Sequence, residues 1–288
     1  MRTVIDINSN DNSLFVTEQC NNRCLMCSQP PSSKNDIEEL FRKNISTIEA
    51  APKELLDIGI TGGEPTILGG KLVELIEKIE KELPNAIIHM LSNGRAFANP
   101  VYTSLLSTYS DRLLIGIPLH SDYPNDHDYV AQAEGAYNET MKGLYNLAKH
   151  DISIELRIVI SKQNYRRLPQ LASFIYKNLP FVRCISFMGL EIIGYAIKNF
   201  DKIWVDPVEY QDELEEAVID LATCQMDVSV FNLPHCLLKP SLHEFARKSI
   251  SDWKVKYLPI CNKCNLKDEC CGLFATSRIQ SNNIKNLV

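Results

Sequence analysis

Three cysteines, Cys20, Cys24 and Cys27, fall within eight residues of one another in the stretch CNNRCLMC. Four more, Cys261, Cys264, Cys270 and Cys271, crowd a second stretch, CNKCNLKDECC, and Cys236 lies upstream of it. Nothing in the N-terminal residues MRTVIDINSNDNS directs the chain to an oxidising compartment, so clustered thiols among ten cysteines point to metal ligation rather than disulfides. Thiolates bind soft metals and iron–sulfur clusters well. In the first group only three ligands are local, which leaves one iron of a cubane open to bind and polarise a cofactor. A zinc knuckle with a remote fourth ligand, or three structural thiols, is the competing interpretation. In the second group Cys236, Cys261, Cys264 and Cys270 form a four-thiol set. Cys270 and Cys271, being adjacent, cannot easily both ligate one metal, and Cys270 is taken as the ligand. Spacing leaves structural zinc and iron–sulfur both open there. Cys184 and Cys224, which stand apart, read as core thiols.

Two further motifs carry polar chemistry. In TGGEP (61–65), Gly62 and Gly63 allow close backbone approach to a ligand, with unpaired N–H and C=O groups, and Glu64 can accept bonds from an ammonium. A plain turn would look the same. In LHSDYPNDHD, the residues His120, Asp122, Asp126, His127 and Asp128 follow a strand and could line a substrate pocket or accept a proton. A solvated loop is the simpler alternative. His120 is the favoured catalytic member because it sits at the strand end.

The elements that must position these residues alternate. Strand patterns occur at 13–20, 56–61, 86–93, 113–120, 152–160 and 183–191. Helical spacing appears from Ile37 to Ile48, from Leu72 to Ile79, over 100–107, over Glu139–Lys149 and over Arg166–Lys177. Six strand–helix units imply a parallel sheet with right-handed crossovers. In ISIELRIVI one face is apolar while Ser153, Glu155 and Arg157 point the other way. A sheet covered by helices on both faces would not hold those groups, so a curled sheet with a polar lumen is expected. After about residue 195 the alternation is expected to stop, with a helix over 206–224, a short strand over 228–236 and the cysteine-rich segment. The expected domains are therefore a core, 1–195, and an extension, 196–288.

Hydrophobic residues make up 45% and charged residues 23% of the 288, an ordinary globular balance with room for a sizeable core. The formal charge of −6 argues against nucleic acid as a partner through a broad basic surface. No apolar run approaches the roughly 18 residues that would span a membrane, and no apolar signal segment opens the chain. A cytoplasmic location, without nucleic-acid or membrane partners, is the expectation.

CNNRCLMC after a strand matches the C-x3-C-x2-C signature of the radical S-adenosylmethionine (SAM) superfamily, and TGGEP follows the second strand as in that superfamily. The chain resembles this family over residues 13 to about 195. The resemblance implies an α/β fold, a partial (β/α)6 barrel with a small C-terminal cysteine-rich extension. It implies a 4Fe–4S cluster on Cys20, Cys24 and Cys27, with Met26 at the usual apolar position before the third cysteine. It also implies SAM, its amino group at Gly62, Gly63, Glu64 and Pro65, its carboxylate or ribose near Ser92 and Asn93, its carboxylate paired with Arg157, and its adenine along Met188. The cluster would pass an electron to SAM, and the 5′-deoxyadenosyl radical would abstract hydrogen from a substrate. The C-terminal thiols resemble the shorter, one-cluster twitch type of SPASM-like extension, which implies an auxiliary 4Fe–4S cluster on Cys236, Cys261, Cys264 and Cys270.

LFVTEQCNNRCLMCSQPP, IGIPLHSDYPNDHDYV and SISDWKVKYLPICNKC are similar to the maturases of His-Xaa-Ser repeat systems. That similarity implies a ribosomally synthesised peptide as substrate, a partner maturase or peptide-recognition protein, and a reductant such as flavodoxin or ferredoxin. Only twelve residues precede the first strand, so an N-terminal peptide-docking domain is not expected. A small-molecule substrate and a non-catalytic metal-binding protein are the alternatives; the TGGEP motif argues against the second.

Overall fold

The computed structural model describes residues 5–9, 12–248, 250 and 253–287. Parts of the N-terminal segment (1–4, 10 and 11) and of SISDWKVKYLPICNKC (249, 251 and 252) lie outside the described residues.

One sheet holds eight strands in chain order: Ser13–Phe15 (β1), Asp57–Thr61 (β2), Ile87–Leu91 (β3), Leu113–Pro118 (β4), Ser153–Val159 (β5), Cys184–Met188 (β6), Val228–Phe231 (β7) and Ala246–Arg247 (β8). The pairings β1–β2, β2–β3, β3–β4, β6–β7 and β7–β8 are all parallel. Six helices follow or lead these strands: Ile37–Glu49 (α1), Gly70–Glu82 (α2), Pro100–Ser104 (α3), Pro124–Ala131 (α4), Ala136–Lys149 (α5) and Leu168–Asn178 (α6). Beyond them come Tyr195–Lys198 (α7), Phe200–Ile203 (α8) and Gln211–Thr223 (α9). Near the C-terminus Val255–Lys256 (β9) and Leu273–Phe274 (β10) pair antiparallel.

Each expected strand is present but shorter. Beyond Phe15, Val16 N–H makes one more rung to the Thr61 carbonyl (2.9 Å), after which the Thr17 and Gln19 carbonyls accept from the turn after β2 rather than from a strand. The sheet also continues where the alternation was expected to stop. α9 buries Leu214, Ala217, Val218 and Leu221, and β7 then adds to β6 with Ile185 beside Val228. The start of the expected 206–224 helix is a separate 3-10 turn, Pro207–Tyr210, capped by Asp206.

The chain divides into two compact units. One comprises residues 1–23, 29–118 and 133–155, the other 24–28, 119–132 and 156–288. In the first, α2 buries Leu72, Leu75, Ile76 and Ile79, the four residues its periodicity singled out, while β2 buries Ile58 and Ile60. On the other face of the strands, His89 of β3 meets Glu155 of β5 (2.9 Å). The polar alternation of β5 is therefore occupied by an internal pair. In the second unit, Leu25, Met26, Val130, Ile192, Ala196 and Ile203 form a buried apolar cluster.

Two expectations need correction. LHSDYPNDHD is no solvated loop: from Pro124 it forms α4, with His127, Val130 and Ala131 buried, because proline at the first position pre-sets a helical φ. Cys224 is no core thiol; it caps α9 and is exposed, while Cys184 is half-buried at the start of β6.

Candidate active site

In the first unit the segment leading to Cys20 is held by the turn after β2. Gly63 N–H donates to the Thr17 carbonyl and Glu64 N–H to the Gln19 carbonyl, both at 2.7 Å. A Cβ on Gly63 would stand 2.1 Å from the Gln19 oxygen, and one on Gly62 would stand 2.6 Å from the Thr17 oxygen. Gly62 also takes φ 151°, a conformation L side chains rarely adopt. These glycines thus let two chain segments meet, and the N–H of Gly63, read above as open to a ligand, is paired with a protein carbonyl, as is that of Glu64. Asp36 ties down the same segment from the start of α1, accepting from Thr17 Oγ1 (2.7 Å) and Glu18 N–H (2.8 Å).

Glu64 is 1% exposed and joins two turns. Its carboxylate accepts from Thr66 N–H and Oγ1 (3.1 and 2.7 Å), Ser92 Oγ (2.7 Å) and Asn93 N–H (2.6 Å). Burial pushes its pKa up, and these four donors only partly offset that. Pro65 and Thr66 beside it are buried. Beyond Ser92 the turn bends at Gly94 (φ 81°), and α5 comes so near that a Cβ on Gly143 would lie 2.2 Å from the Gly94 oxygen.

The turn after β3 reaches the cysteine segment. Asn93 Nδ2 donates to Asn21 Oδ1 (2.6 Å), and Cys20 Sγ lies 4.0 Å from it. Arg95, fixed by Glu139 (2.5 Å), donates to the Asn21 carbonyl (2.9 Å) and to Asn22 Oδ1 (2.6 Å). Thr17, Asp36, Arg95, Asn22 and Glu139 were missed from sequence. Each is an ordinary polar residue whose partner lies far along the chain, so no local pattern marks it.

In the second unit Cys24 and Cys27 flank Met26, which is buried in the apolar cluster, with Cys24 packed at its edge. Leu25 N–H donates to Val130 and Tyr195 N–H to the Cys27 carbonyl, at 2.9 and 2.8 Å. Asn199 Nδ2 donates to the Leu25 carbonyl (2.9 Å). Gly194 (φ 55°) permits this approach, since its Cβ would meet the Cys27 oxygen at 2.4 Å. Arg157 and Met188 meet here: the guanidinium Nη2 lies 3.3 Å from Met188 Sδ. His120 is 3% exposed, and both its ring nitrogens are buried without a hydrogen-bond partner. The His127 ring stands 5.0 Å away, and Asp122 pairs with Arg167 (2.6 Å). Burial, then the neighbouring His127, pushes the His120 pKa well below the usual histidine value, so the ring is neutral at pH 7.

Also in the second unit, Cys236, Cys261, Cys264 and Cys270 line one cavity of about 360 Å³, open mouth included. Lys256, Lys267 and Lys285 line it too, which suits an anionic occupant. Gly272 (φ 70°) starts the turn into β10, and its N–H donates to Cys270 Sγ (3.4 Å). Cys271 turns its thiol to the Gly272 carbonyl (3.3 Å) and is buried. The adjacent Cys271 thiol, with His235 and Gly272 beside it, pulls the Cys270 pKa down against the effect of burial. The same neighbour and burial push Cys271 strongly up. Burial raises Cys236. Among the described residues, no three His, Cys, Asp or Glu side chains converge tightly enough to hold a single metal ion.

The fold is a parallel α/β sheet whose strand-end turns clasp the segment that bears Cys20. Residues 14–175 match the radical SAM superfamily, and the chain belongs to that family. Membership makes it an enzyme and implies a 4Fe–4S cluster and SAM. The chain is 27% identical to the Fe-coproporphyrin III synthase of Methanosarcina barkeri, over 64% of this chain and 44% of that protein. It is 24% identical to AlbA, the antilisterial bacteriocin subtilosin biosynthesis protein of Bacillus subtilis, over 54% of this chain and 34% of that one. It therefore spans less than half the length of these relatives. In fold it is similar to anSMEcpe, solved with bound AdoMet and Kp18Cys peptide (TM-score 0.59, 15% identity, 76% of this chain and 63% of that one). No helix among the described residues is long and apolar enough to cross a membrane.

Proposed function

We propose that this chain cleaves SAM reductively and abstracts hydrogen from a ribosomally synthesised peptide during its maturation. The observation that carries the reading is the clasp on the Cys20 segment, in which the TGGEP and SNG turns grip the backbone that presents the first thiol. Cys20, Cys24 and Cys27 would hold the 4Fe–4S cluster, with Met26 fixing their segment in the core. The turn Gly62–Pro65 would take the SAM amino group, with Glu64 supplying a buried carboxylate. Ser92, Asn93 and Arg157 would take its carboxylate and ribose, and Met188 its adenine. His120 would face the substrate, its unpartnered neutral ring offering a proton acceptor. Bound together, the cluster and SAM supply one-electron cleavage and hydrogen abstraction.

The extension of residues 196–288 would carry the auxiliary 4Fe–4S cluster on Cys236, Cys261, Cys264 and Cys270. A zinc site draws its sulfurs to roughly 2.3 Å from one ion, whereas a cubane needs thiols spread around a cage. Four thiols lining one cavity can supply a cubane's four ligands. Cys270, facing that cavity with its pKa pulled down, would be the ligand; Cys271, buried with its thiol turned to the Gly272 carbonyl, would not.

Relatives point to two substrate classes. The bacteriocin biosynthesis protein and the peptide bound in the similar fold support a peptide; a separate recognition protein and a flavodoxin or ferredoxin would be its partners. The coproporphyrin relative, with higher identity over more of this chain, supports a small molecule as the second reading. Anaerobic reconstitution with iron and sulfide, then dithionite and SAM, tests the chemistry through 5′-deoxyadenosine. A peptide rich in His-Xaa-Ser triplets should accelerate that release and lose mass as hydrogen. Release unaffected by such peptides but accelerated by a porphyrin would select the second reading, and no release from iron-replete protein would end both.

A further inference from the structure

Arg95 opens the 3-10 turn Arg95–Ala98 that follows the SNG bend, and its side chain reaches back to the segment that bears Cys20. Its Nε donates to Glu139 Oε2 of α5 at 2.5 Å, while its Nη1 donates to the Asn21 carbonyl at 2.9 Å and to Asn22 Oδ1 at 2.6 Å. Asn22 is buried, and its own backbone N–H donates to the Cys20 sulfur at 3.4 Å. Asn93 adds a second hold on the same segment: its Oδ1 accepts from the Arg95 backbone N–H at 3.0 Å and its Nδ2 donates to Asn21 Oδ1. A line of contacts therefore runs from Glu139 through Arg95 and Asn22 to the sulfur, all of it within the first unit. An exposed Arg–Glu pair contributes little by itself, but the Arg95 side chain is only 15% exposed. A planar guanidinium that bonds Glu139 through one nitrogen and two loop acceptors through another sets direction as well as distance.

We infer that Arg95, aligned by Glu139, is a positioning residue of the first cluster: it holds Asn22 so that the Asn22 N–H stays on the Cys20 sulfur, and it thereby raises the cluster's reduction potential. This rests on the reading of Cys20, Cys24 and Cys27 as cluster ligands. A sulfur that already accepts a backbone N–H suits a thiolate ligand. The donor stabilises the added negative charge that arrives on reduction, and it orients the ligand. Arg95 does this through Asn22, without contact of its own to the sulfur.

The test uses the full chain, reconstituted with iron and sulfide, as the parent, Arg95→Met and Asn22→Ala. Asn22→Ala keeps the backbone N–H and the Arg95 charge but removes the acceptor that Arg95 holds, so it separates position from charge. Reduced and oxidised cluster are counted by electron paramagnetic resonance at a fixed potential without SAM, after subtraction of the signal that remains in Cys20/Cys24/Cys27→Ala. In Arg95→Met the reduced-to-oxidised ratio should fall about tenfold, a shift of about 59 mV for one electron. Asn22→Ala should reproduce most of that fall. In the metal-free full chain, the Asn22 amide should exchange its hydrogen about tenfold faster in Arg95→Met, the effect of losing one charge-assisted hydrogen bond. Unchanged exchange at Asn22 overturns the hold by Arg95 and leaves the cluster reading standing. A ratio that falls in Arg95→Met but not in Asn22→Ala assigns the effect to charge and overturns the positioning role, and an unchanged ratio in both at full iron overturns the link to potential. If Arg95→Met does not fold, the ratio in Asn22→Ala decides alone. An iron-replete parent with no signal left after subtraction overturns the reading of the three cysteines, and the Arg95 role with it.

Discussion

Cys20 is reached through long-range backbone bonds, from Gly63 to Thr17 and from Glu64 to Gln19, locked by a buried carboxylate that spans two strand ends. Cys236, Cys261, Cys264 and Cys270 sit instead in a region whose regular structure, among the described residues, is the two-residue strand β8, the pair β9–β10 and short 3-10 turns. The backbone that presents Cys20 is held by the turns at two strand ends, so it should keep its place without a metal. The second has little core of its own, so a bound metal centre would supply folding energy there. One chain thus combines a thiol site that the fold prepares and a thiol site that its occupant would complete.

The largest effect should come from Cys20/Cys24/Cys27→Ala, which should bring 5′-deoxyadenosine release to background while leaving about four irons bound (one cubane) and the thermal melt close to the parent. Loss of all iron would erase the contrast between the sites. Gly63→Ala comes next. Its methyl would meet the Gln19 carbonyl, and a backbone clash of that kind should cost roughly 3–5 kcal/mol, read by chemical denaturation. An unchanged midpoint would mean that the Cys20 segment is not clasped.

Chelation of iron sharpens the comparison more gently. Limited proteolysis should then cut faster within 253–287, while the segment from Thr17 to Asn22 keeps its protection against hydrogen exchange. Equal loosening of both would show that the first site also depends on its metal. At the C-terminal site, Cys270→Ala should remove auxiliary iron where Cys271→Ala retains it, as counted by iron analysis of the triple variant. The reverse pattern would exchange their roles.

The smallest effect is a slope. Glu64 has a folded-state pKa above its ordinary 4.5, so the folded state holds its proton more tightly. Stability from this group is fully present below pH 4.5 and falls as pH rises through the folded value. Glu64→Gln should flatten that part of the stability–pH curve while costing about 1–3 kcal/mol, because an amide N–H₂ must face donors that wanted an acceptor. A curve of unchanged slope would show that Glu64 does not titrate in this window.

Much of this was legible in the sequence because it is local. The four apolar residues of α2 recur at helical spacing and are the ones buried. TGGEP follows β2, and SNG follows β3, as their strand patterns indicated. Met188 and Arg157, singled out separately, touch each other. The ends of elements were less legible. β1 stops at Phe15 although apolar and β-branched residues continue, since Asp36, 18 residues beyond Glu18, takes the next backbone N–H. α4 was hidden by polar residues whose buried members are a histidine and two small apolar side chains, which leave no clear apolar stripe.

The sequence by itself determined the family, the alternation of strands and helices, and the two groups of thiols, because spacing along the chain sets both secondary structure and the reach of neighbouring ligands. Only the tertiary structure decided what the glycines of TGGEP do, that Glu64 joins two turns, that Cys270 rather than Cys271 faces the cavity, and that His235 stands beside it. Those facts depend on which distant segments meet, and contacts between distant segments are fixed by packing and hydrogen-bond satisfaction, not by periodicity.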